Sequence, residues 1–335
     1  MIISRTPFRI SFFGGGTDYP LWYKERGGCV LATTINKYCY ITCRFLPPFF
    51  EHTSRIIYSK MEHVKTIDEI DHPSVRECLR FLNIDRGVEI HHDGDLPARA
   101  GLGSSSSFTV GLLHTLHALK GSMPTKRQLA LDAIHVEQEM IQENVGSQDQ
   151  VLASFGGFNL IEFNKDKKID VKPVTISLQR AQEFQNHLLL FFTGFSRNSS
   201  EVAADQVKRI SSNKKELEKM QELVKEALTI LNSNESLAKF GKLLHENWLL
   251  KKSLSSEITT PQIEEVYDVA RNAGALGGKV LGAGGGGFML FFAEPEKHVF
   301  IREKLKDLLY VPFRFENLGS QIIFYGPSSL YEDTQ

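Results

Sequence analysis

Residues 97–107 read PARAGLGSSSS, and apolar residues at helical spacing follow them directly. Glycine allows the backbone to approach a polyphosphate closely, and the N-terminus of a helix presents unpaired N–H groups and a favourable dipole. The segment is not a Walker loop, because the lysine of GxxxxGK[ST] is missing. A serine-capped helix after a flexible turn is the plainer interpretation, but one capping serine would suffice for it. The stretch therefore predicts a phosphate-binding loop that leads into a helix.

Two further glycine-rich segments lie towards the two ends of the chain. Residues 282–287 read GAGGGG and match GxGxxG, but the FMLFF that follows indicates a strand, whereas a dinucleotide site requires a helix there. Close backbone approach to another loop or to a ligand remains as an explanation, and so does a structural hairpin. Residues 13–20 read FGGGTDYP, and Asp18 in this segment either caps a turn or holds sugar hydroxyls.

Two carboxylates stand at positions that suggest more than a solvated surface. Glu137 lies on the apolar stripe of a helix predicted over 126–142, where a carboxylate is costly unless an arginine or a bound cation pairs with it. Asp149 lies in GSQDQ, residues 146–150, directly before a short apolar helix. A helix N-cap is the plain interpretation of Asp149.

The order of the predicted elements indicates an α+β fold. Strands are predicted over 5–13, 28–35, 38–45 and 89–92, and helices over 108–119 and 126–142. A strand pair is expected from 158–163 and 187–192, followed by two or three amphipathic helices within 200–254. A helix over 261–273 and the elements strand 287–293, helix 295–309 and strand 321–325 complete the series. Because strands and helices do not alternate strictly, a doubly wound sheet is disfavoured.

Composition and charge exclude several classes of protein. The 335 residues carry a net charge of -1, so no basic excess favours nucleic acid or a membrane surface as the main partner. No apolar run approaches the roughly 20 residues of a membrane span, and the N-terminal stretch lacks the apolar core of a signal peptide. The four cysteines form no CxxC pair, which favours buried, reduced thiols in a cytoplasmic protein.

The motifs, taken in order, resemble those of the GHMP kinases, the superfamily of galactokinase, homoserine kinase and mevalonate kinase. RTPFRISFFGGGTDYP, LPARAGLGSSSS, VEQEMIQENVGSQDQ and GGKVLGAGGGGF carry the resemblance, which runs from Arg5 to about Tyr325. It implies an ATP-dependent kinase with an N-terminal domain, 1–185, like the second domain of ribosomal protein S5. A ferredoxin-like C-terminal domain, 186–335, is expected to follow.

The resemblance also implies roles for individual residues. Asp149 is expected to be the catalytic base with Arg9 beside it, and Glu137 and Ser105 are expected to bind magnesium. The residues expected to bind ATP are Pro97, Ala100, Gly101, Leu102, Gly103, Ser104, Ser105 and Ser106. The residues expected to bind the substrate are Asp18, Thr17, Gly15, Gly16, Gly157, Arg197, Lys279, Gly284 and Gly285.

One departure from galactokinases bears on the substrate. Those enzymes have Gly-Glu-His-Thr-Asp where this chain has GGGTD, so a negative charge is lost and space is opened for a bulky or anionic tail. RISFFGGGTDYP, GSQDQ and FFTGFSRNSS are similar to heptose 7-phosphate kinases, which form the 1,7-bisphosphate for GDP-heptose synthesis. We therefore expect a small sugar phosphate as partner, with its phosphate held by the glycine turn, Arg197 and Lys279. The alternatives are another anomeric sugar kinase, for fucose or galactose, and a non-catalytic sensor of sugar and nucleotide.

Overall fold

The computed structural model describes residues 1–98, 100–194 and 199–326. Its strands lie in two sheets and span the following residues: β1 Ile2–Phe13, β2 Gly28–Phe45, β3 Ser54–Ile57, β4 Met61–Val64, β5 Val88–Gly94, β6 Phe158–Phe163, β7 Ile169–Pro173, β8 Leu188–Phe192, β9 Gly277–Val280, β10 Phe288–Phe292, β11 Leu309–Tyr310, β12 Phe315–Glu316 and β13 Gln321–Tyr325.

The helices cover the faces of these sheets. They span α1 Pro20–Arg26, α2 Pro73–Phe81, α3 Ser104–Leu119, α4 Lys126–His135, α5 Gln148–Phe155, α6 Leu178–Asn186, α7 Ser199–Arg209, α8 Lys214–Leu231, α9 Ala238–Ser253, α10 Pro261–Asn272 and α11 His298–Lys304. A single π-helical turn, Val136–Met140, continues α4. The mixture confirms the α+β prediction.

The first sheet is built around the long antiparallel pair of β1 and β2. Its order is β13-β1-β2-β5-β3-β4, with β12 and β6 also paired to β2 and β7 paired to β6. Helix α3 packs on β1 and β2, and its buried apolar residues supply much of the core beneath the sheet. The N-terminus of α3 is thereby fixed close to the middle of β1.

A β-bulge interrupts the end of β1. Ser11 pairs with Ala32 and Phe13 with Leu31, so Phe12 is an extra residue in β1 without a partner on β2. A bulge frees backbone carbonyls and turns the neighbouring side chains. The ammonium group of Lys279 donates to the carbonyl oxygens of Ser11 and Phe12, at 2.9 Å each.

The second sheet is antiparallel with the order β11-β8-β10-β9. Helices α9 and α10 pack near β9, and a cluster that includes Trp248, Tyr267 and Phe291 forms the core on one face. Phe240 of α9 lies with its ring 5.8 Å from that of Phe12 and 5.1 Å from that of Phe13. The two sheets are therefore joined by a continuous apolar layer at the end of β1.

The predicted elements are mostly present, with three corrections. The strands 28–35 and 38–45 are one strand, because β2 bulges at the polar residues Asn36 and Lys37 and resumes its pairing with β1 on either side. The segments 158–163 and 187–192 do form strands, but in different sheets: β6 pairs with β2 and β7, and β8 pairs with β10 and β11. The last predicted helix is shorter, since Leu309–Tyr310 pairs with β8.

The last described residues return to the first sheet. β12 pairs with β2 and β13 with β1, while Ser320 receives contacts from both β1 and α3: its hydroxyl lies 2.8 Å from that of Thr6 and 3.0 Å from Nδ1 of His114. The predicted domain boundary near residue 185 stays a prediction, as does the cytoplasmic location. Along the described residues, no helix combines the length and apolar character that crossing a membrane requires.

The burial of His114, which lies against Ser320, predicts that the stability of the fold depends on pH. Burial lowers the pKa of His114 from 6.5 to about 4, and His117 adds repulsion. The unfolded chain therefore takes up this proton at higher pH than the folded chain, so stability falls as the pH drops from 6.5 towards 4. Urea unfolding of His114→Asn across this range should show a smaller loss of the free energy of unfolding than wild type.

His135→Asn, which alters an exposed histidine, is the matched control and should keep the wild-type slope. An identical pH dependence for His114→Asn and wild type would contradict this explanation.

Candidate active site

A bidentate ion pair between Arg9 of β1 and Asp149 of α5 lies at the centre of the candidate site. Arg9 Nε and Nη2 donate to Oδ1 and Oδ2 of Asp149, at 2.7 Å each, and Nη1 donates to the carbonyl oxygen of Gly101 at 2.6 Å. The Arg9 side chain is 6% exposed and that of Asp149 is 22% exposed. The carboxylate thus keeps access to solvent while its charge is balanced from the buried side.

The predicted phosphate loop touches this ion pair. A Cβ atom on Gly103 would lie 3.2 Å from Oδ2 of Asp149, so the loop backbone and the carboxylate are neighbours. Gly101 and Gly103 have φ of +88° and +74°, which a side chain would oppose, and Gly103 is the residue from which α3 begins. Helix α3 therefore directs its free N–H groups towards the space beside Asp149.

The other residues predicted to bind ATP fall into a buried group and a solvent-accessible group. Ala100 and Leu102 are 2% exposed and anchor the loop, since Ala100 accepts a hydrogen bond from the Phe288 amide and Leu102 accepts one from the Arg9 amide, both at 3.1 Å. Ser105 and Pro97 are exposed, and Ser104 is half-buried. These positions leave the outer serines of the loop accessible to a ligand.

The GAGGGG segment lies directly behind the phosphate loop. A Cβ atom on Gly101 would meet the Leu281 carbonyl oxygen at 2.4 Å, and one on Gly282 would meet the Gly101 Cα atom at 2.6 Å. Of the explanations that the sequence left open for GAGGGG, its close approach to another loop is therefore observed. The strand predicted after this segment is β10. Gly284 and Gly285 pack on Ile258, whose carbonyl oxygen accepts from the Gly285 amide at 2.9 Å.

Glu137 lies fully buried on the π-helical turn after α4. Its Oε2 accepts hydrogen bonds from the Ser106 hydroxyl at 2.8 Å and from the Gln150 carboxamide, while Oε1 has no hydrogen-bond partner among the described residues. Burial raises the pKa of Glu137 to about 7. The serine in contact with Glu137 is Ser106, while Ser105, which was predicted to bind magnesium, lies exposed in the first turn of α3.

Asp18 joins the first glycine turn to the segment before Asp149. Its Oδ1 accepts from the Gly16 amide at 3.0 Å and its Oδ2 from the Gln148 amide at 3.3 Å, and the side chain is almost fully buried. Burial, with Asp149 close by, raises the pKa of Asp18. The hydroxyl of Thr17 donates to the Gly14 and Cys29 carbonyl oxygens, at 2.8 and 3.0 Å, so its role is to hold the turn.

Several residues predicted to bind the substrate lie elsewhere or are already occupied. Gly157 lies at the opposite end of α5 from Asp149, where its amide donates to Thr34 and Glu316. Lys279 is 3% exposed, and its ammonium group is bound to the carbonyls of the β1 bulge. The donor groups of both residues are thus already paired within the protein. Arg197 lies outside the described residues.

Two amides of the first glycine turn, which was predicted to hold the remote phosphate, are already paired. The amide of Gly16 donates to Asp18, and the amide of Thr17 donates to the Gly14 carbonyl oxygen at 3.1 Å. A Cβ atom on Gly16 would meet the Leu217 side chain at 3.0 Å, so this side of the turn faces apolar groups. A phosphate at the remote end of a substrate therefore requires partners from another segment.

Two contributors to the site, Gln150 and Lys251, were missed from the sequence. Ser106 and Gln150 bind Glu137, and Lys251 of α9 donates to the Val280 and Gly282 carbonyl oxygens at 2.9 and 2.6 Å. Lys251 holds the glycine segment that backs the phosphate loop. A signal was available, because Lys251 continues the helical stripe of Phe240, Leu244 and Trp248.

Comparison with known families and proteins agrees with this geometry. Residues 72–157 match the GHMP kinases N terminal domain, and residues 211–311 match the GHMP kinases C terminal domain. A protein of Campylobacter jejuni named D-glycero-alpha-D-manno-heptose 7-phosphate kinase is 30% identical over 95% of this chain and 97% of its own length.

A more distant relative and a solved structure extend the comparison. The L-fucokinase/L-fucose-1-P guanylyltransferase of Bacteroides fragilis is 25% identical over 92% of this chain and 36% of its own length. The crystal structure of a D-glycero-D-manno-heptose 1-phosphate kinase from Bacteroides thetaiotaomicron superposes with a TM-score of 0.77, covering 96% of this chain and 98% of that one at 24% identity. The predicted fold is thereby confirmed, and the chain belongs to the GHMP kinases, ATP-dependent phosphotransferases with an alcohol group as acceptor.

Proposed function

We propose that the protein transfers the γ-phosphoryl group of ATP to the anomeric hydroxyl of D-glycero-D-manno-heptose 7-phosphate, giving the 1,7-bisphosphate for GDP-heptose synthesis. The observation that carries the kinase chemistry is the contact of Arg9 and Asp149 with the glycine loop that begins α3. The choice of heptose is supported by the name of the Campylobacter jejuni relative and by the glycine at position 15, where galactokinases have glutamate.

The chemistry that these residues can perform is mainly positioning and balancing of charge. Phosphoryl transfer has little covalent work for the protein to do, so orientation and electrostatics dominate. The loop 100–104 would hold the polyphosphate against the N-terminus of α3. Asp149 would accept the proton of the attacking hydroxyl, and Arg9 would hold the carboxylate in position and offset charge at the transferring group.

The chemistry of the groups around Glu137 fits a magnesium ion. Oε1 of Glu137 is a buried carboxylate oxygen without a partner among the described residues, and the Ser106 hydroxyl is bound to the other oxygen. Magnesium prefers oxygen ligands and is usually held by one or two carboxylates together with substrate phosphates. Glu137 and a serine of the loop would hold the ion, which would neutralise charge on the phosphates.

A panel of sugars tests the proposed substrate. ATP consumption should be measured by a coupled assay with heptose 7-phosphate, unphosphorylated heptose, fucose, galactose and 6-phosphorylated hexoses. The proposal requires heptose 7-phosphate to have the highest kcat/KM. Preference for fucose or galactose would instead favour another anomeric sugar kinase, and ATP and sugar binding without turnover would favour a sensor.

The first prediction from this proposal concerns Asp149 as the catalytic base. Asp149→Asn should remain folded and bind ATP but lose turnover by about 10²- to 10⁴-fold, because the amide cannot take up the proton. Initial rates and ATP titration of the purified variant give the two quantities. More than about a tenth of wild-type activity would remove Asp149 from this role.

The second prediction concerns the metal. Glu137→Gln should raise the magnesium concentration for half-maximal activity by about 10- to 150-fold, the range for losing a charge-assisted contact. Sugar binding without metal should be unchanged. Asp132→Asn, which alters another buried carboxylate on α4, is the control and should leave the magnesium titration as in wild type. A loss of folding stability in Glu137→Gln with no change in that titration would show a purely structural role.

The third prediction concerns the remote phosphate. A charge-assisted contact contributes about 1.5–3 kcal/mol, so kcat/KM for heptose 7-phosphate should exceed that for unphosphorylated heptose by about 10- to 150-fold. Arg197→Ala should narrow this ratio, whereas Arg209→Ala, an exposed arginine paired with Asp205, should not. Equal efficiencies for the two sugars would contradict a phosphate contact.

A further inference from the structure

Two polar side chains at the first glycine turn lack partners. The Ser11 hydroxyl and Oε1 of Gln148 are buried, and neither has a hydrogen-bond partner among the described residues. Buried polar atoms are nearly always paired, and an exception needs an explanation. Ser11 is 6% exposed, so ordinary bulk solvation does not satisfy its hydroxyl.

The same two side chains border one open space. A Cβ atom placed on Gly15 would have as its nearest neighbours Nε2 of Gln148 and Oγ of Ser11, each at 3.9 Å. Gly15 is itself only half-buried, so the space is open to solvent. A hydroxyl group of a ligand in this space would lie within reach of both side chains.

Both side chains are carried by backbone that bonds to other segments hold in place. Ser11 stands at the β1 bulge, whose freed carbonyls are bound by Lys279, and this fixes the direction of the strand there. The backbone amide of Gln148 donates a hydrogen bond to Asp18, which holds this residue in place. Gln148 directly precedes Asp149 in the chain. The space at Gly15 is therefore bordered by the residue that precedes Asp149 and by backbone that is held in place.

We propose that Ser11 and Gln148 form a specificity site that binds a hydroxyl of the acceptor sugar, next to the hydroxyl that receives the phosphoryl group. This inference rests on the proposed function. Asp18, whose two oxygens accept backbone hydrogen bonds, then acts as a positioning residue that holds the turn and Gln148. The direct contacts to the sugar at Gly15 come from the neutral side chains.

The cationic groups near the site are already paired, which favours a neutral hydroxyl over a phosphate. Lys279, which interacts electrostatically with Asp18, is bound to two carbonyl oxygens, and Arg9 is bound to Asp149 and to the Gly101 carbonyl oxygen. Hydroxyl and carboxamide groups can each donate and accept, as a sugar hydroxyl requires. The remote phosphate of the substrate must therefore lie on another side of the sugar.

Gly15→Ala tests the site with little disturbance of the fold. Its φ lies outside the left-handed region, and the added methyl group would meet nothing closer than 3.9 Å. The variant should keep the wild-type thermal midpoint and KM for ATP. Its kcat/KM for the acceptor should fall by about tenfold or more, because the added methyl group would occupy space that the sugar needs. Acceptor binding without ATP, measured by calorimetry, should weaken in parallel.

Ser11→Ala and Gln148→Met remove the polar atoms at similar volume. Each should lower kcat/KM for the acceptor by about 2- to 12-fold, the range for one neutral hydrogen bond, without changing KM for ATP. Ser154→Ala is the matched control, since Ser154 also has a buried hydroxyl without a partner among the described residues but lies towards the far end of α5, beside Gly319. It should leave both parameters unchanged.

The outcomes separate this inference from the proposed function. If wild type phosphorylates a sugar and Gly15→Ala does so with kcat/KM within twofold of wild type, the space at Gly15 is not part of the acceptor site and this inference alone is overturned. Equal losses for acceptor and ATP would overturn it as well, because they indicate a general distortion. If wild type phosphorylates no sugar, the proposed function fails and the inference fails with it.

Discussion

The candidate site depends on the buried guanidinium group of Arg9. It binds both oxygens of Asp149 and the Gly101 carbonyl, and the amide of the same residue donates to Leu102. One side chain on β1 thus fixes the carboxylate of Asp149, which belongs to α5, relative to the loop that begins α3. Since a buried charge without its partner is strongly unfavourable, the folded state itself enforces this arrangement. The ion pair between Arg9 and Asp149 that the fold requires is thus the same contact that the proposed chemistry uses.

Close backbone packing behind the loop creates a second constraint. The glycines of the loop and of the GAGGGG segment approach to distances that no side chain permits, and the β1 bulge leaves further carbonyls unpaired. Lys251 and Lys279 satisfy these carbonyls from the second sheet and its helix. Burial lowers the pKa of Lys251 to about 7 and that of Lys279 well below its usual value. The structure therefore uses buried lysines as donors to the backbone where the two sheets meet.

The sequence predicted the parts of the site that depend on local spacing. The glycine loop leading into a helix, Glu137 on an apolar stripe and Asp149 at the start of a short helix are all visible from neighbouring residues. The predicted pairing of β6 with β8 was wrong, because pairing depends on distant partners. For the same reason the sequence did not show the bonds that Thr17, Gly157 and Lys279 make to other segments. The contact of Ser106 with Glu137 depends on the rotation of α3 relative to Glu137, which spacing along the chain does not contain.

The measurement that tests the account most directly is the position of the transferred phosphate. Phosphorus NMR of the product formed from ATP and heptose 7-phosphate should show a new phosphate coupled to the anomeric proton, formed in equal amount to ADP. A phosphate on another hydroxyl, or release of inorganic phosphate without a sugar product, would contradict the assignment of Asp149, Arg9 and the glycine loop to anomeric phosphoryl transfer.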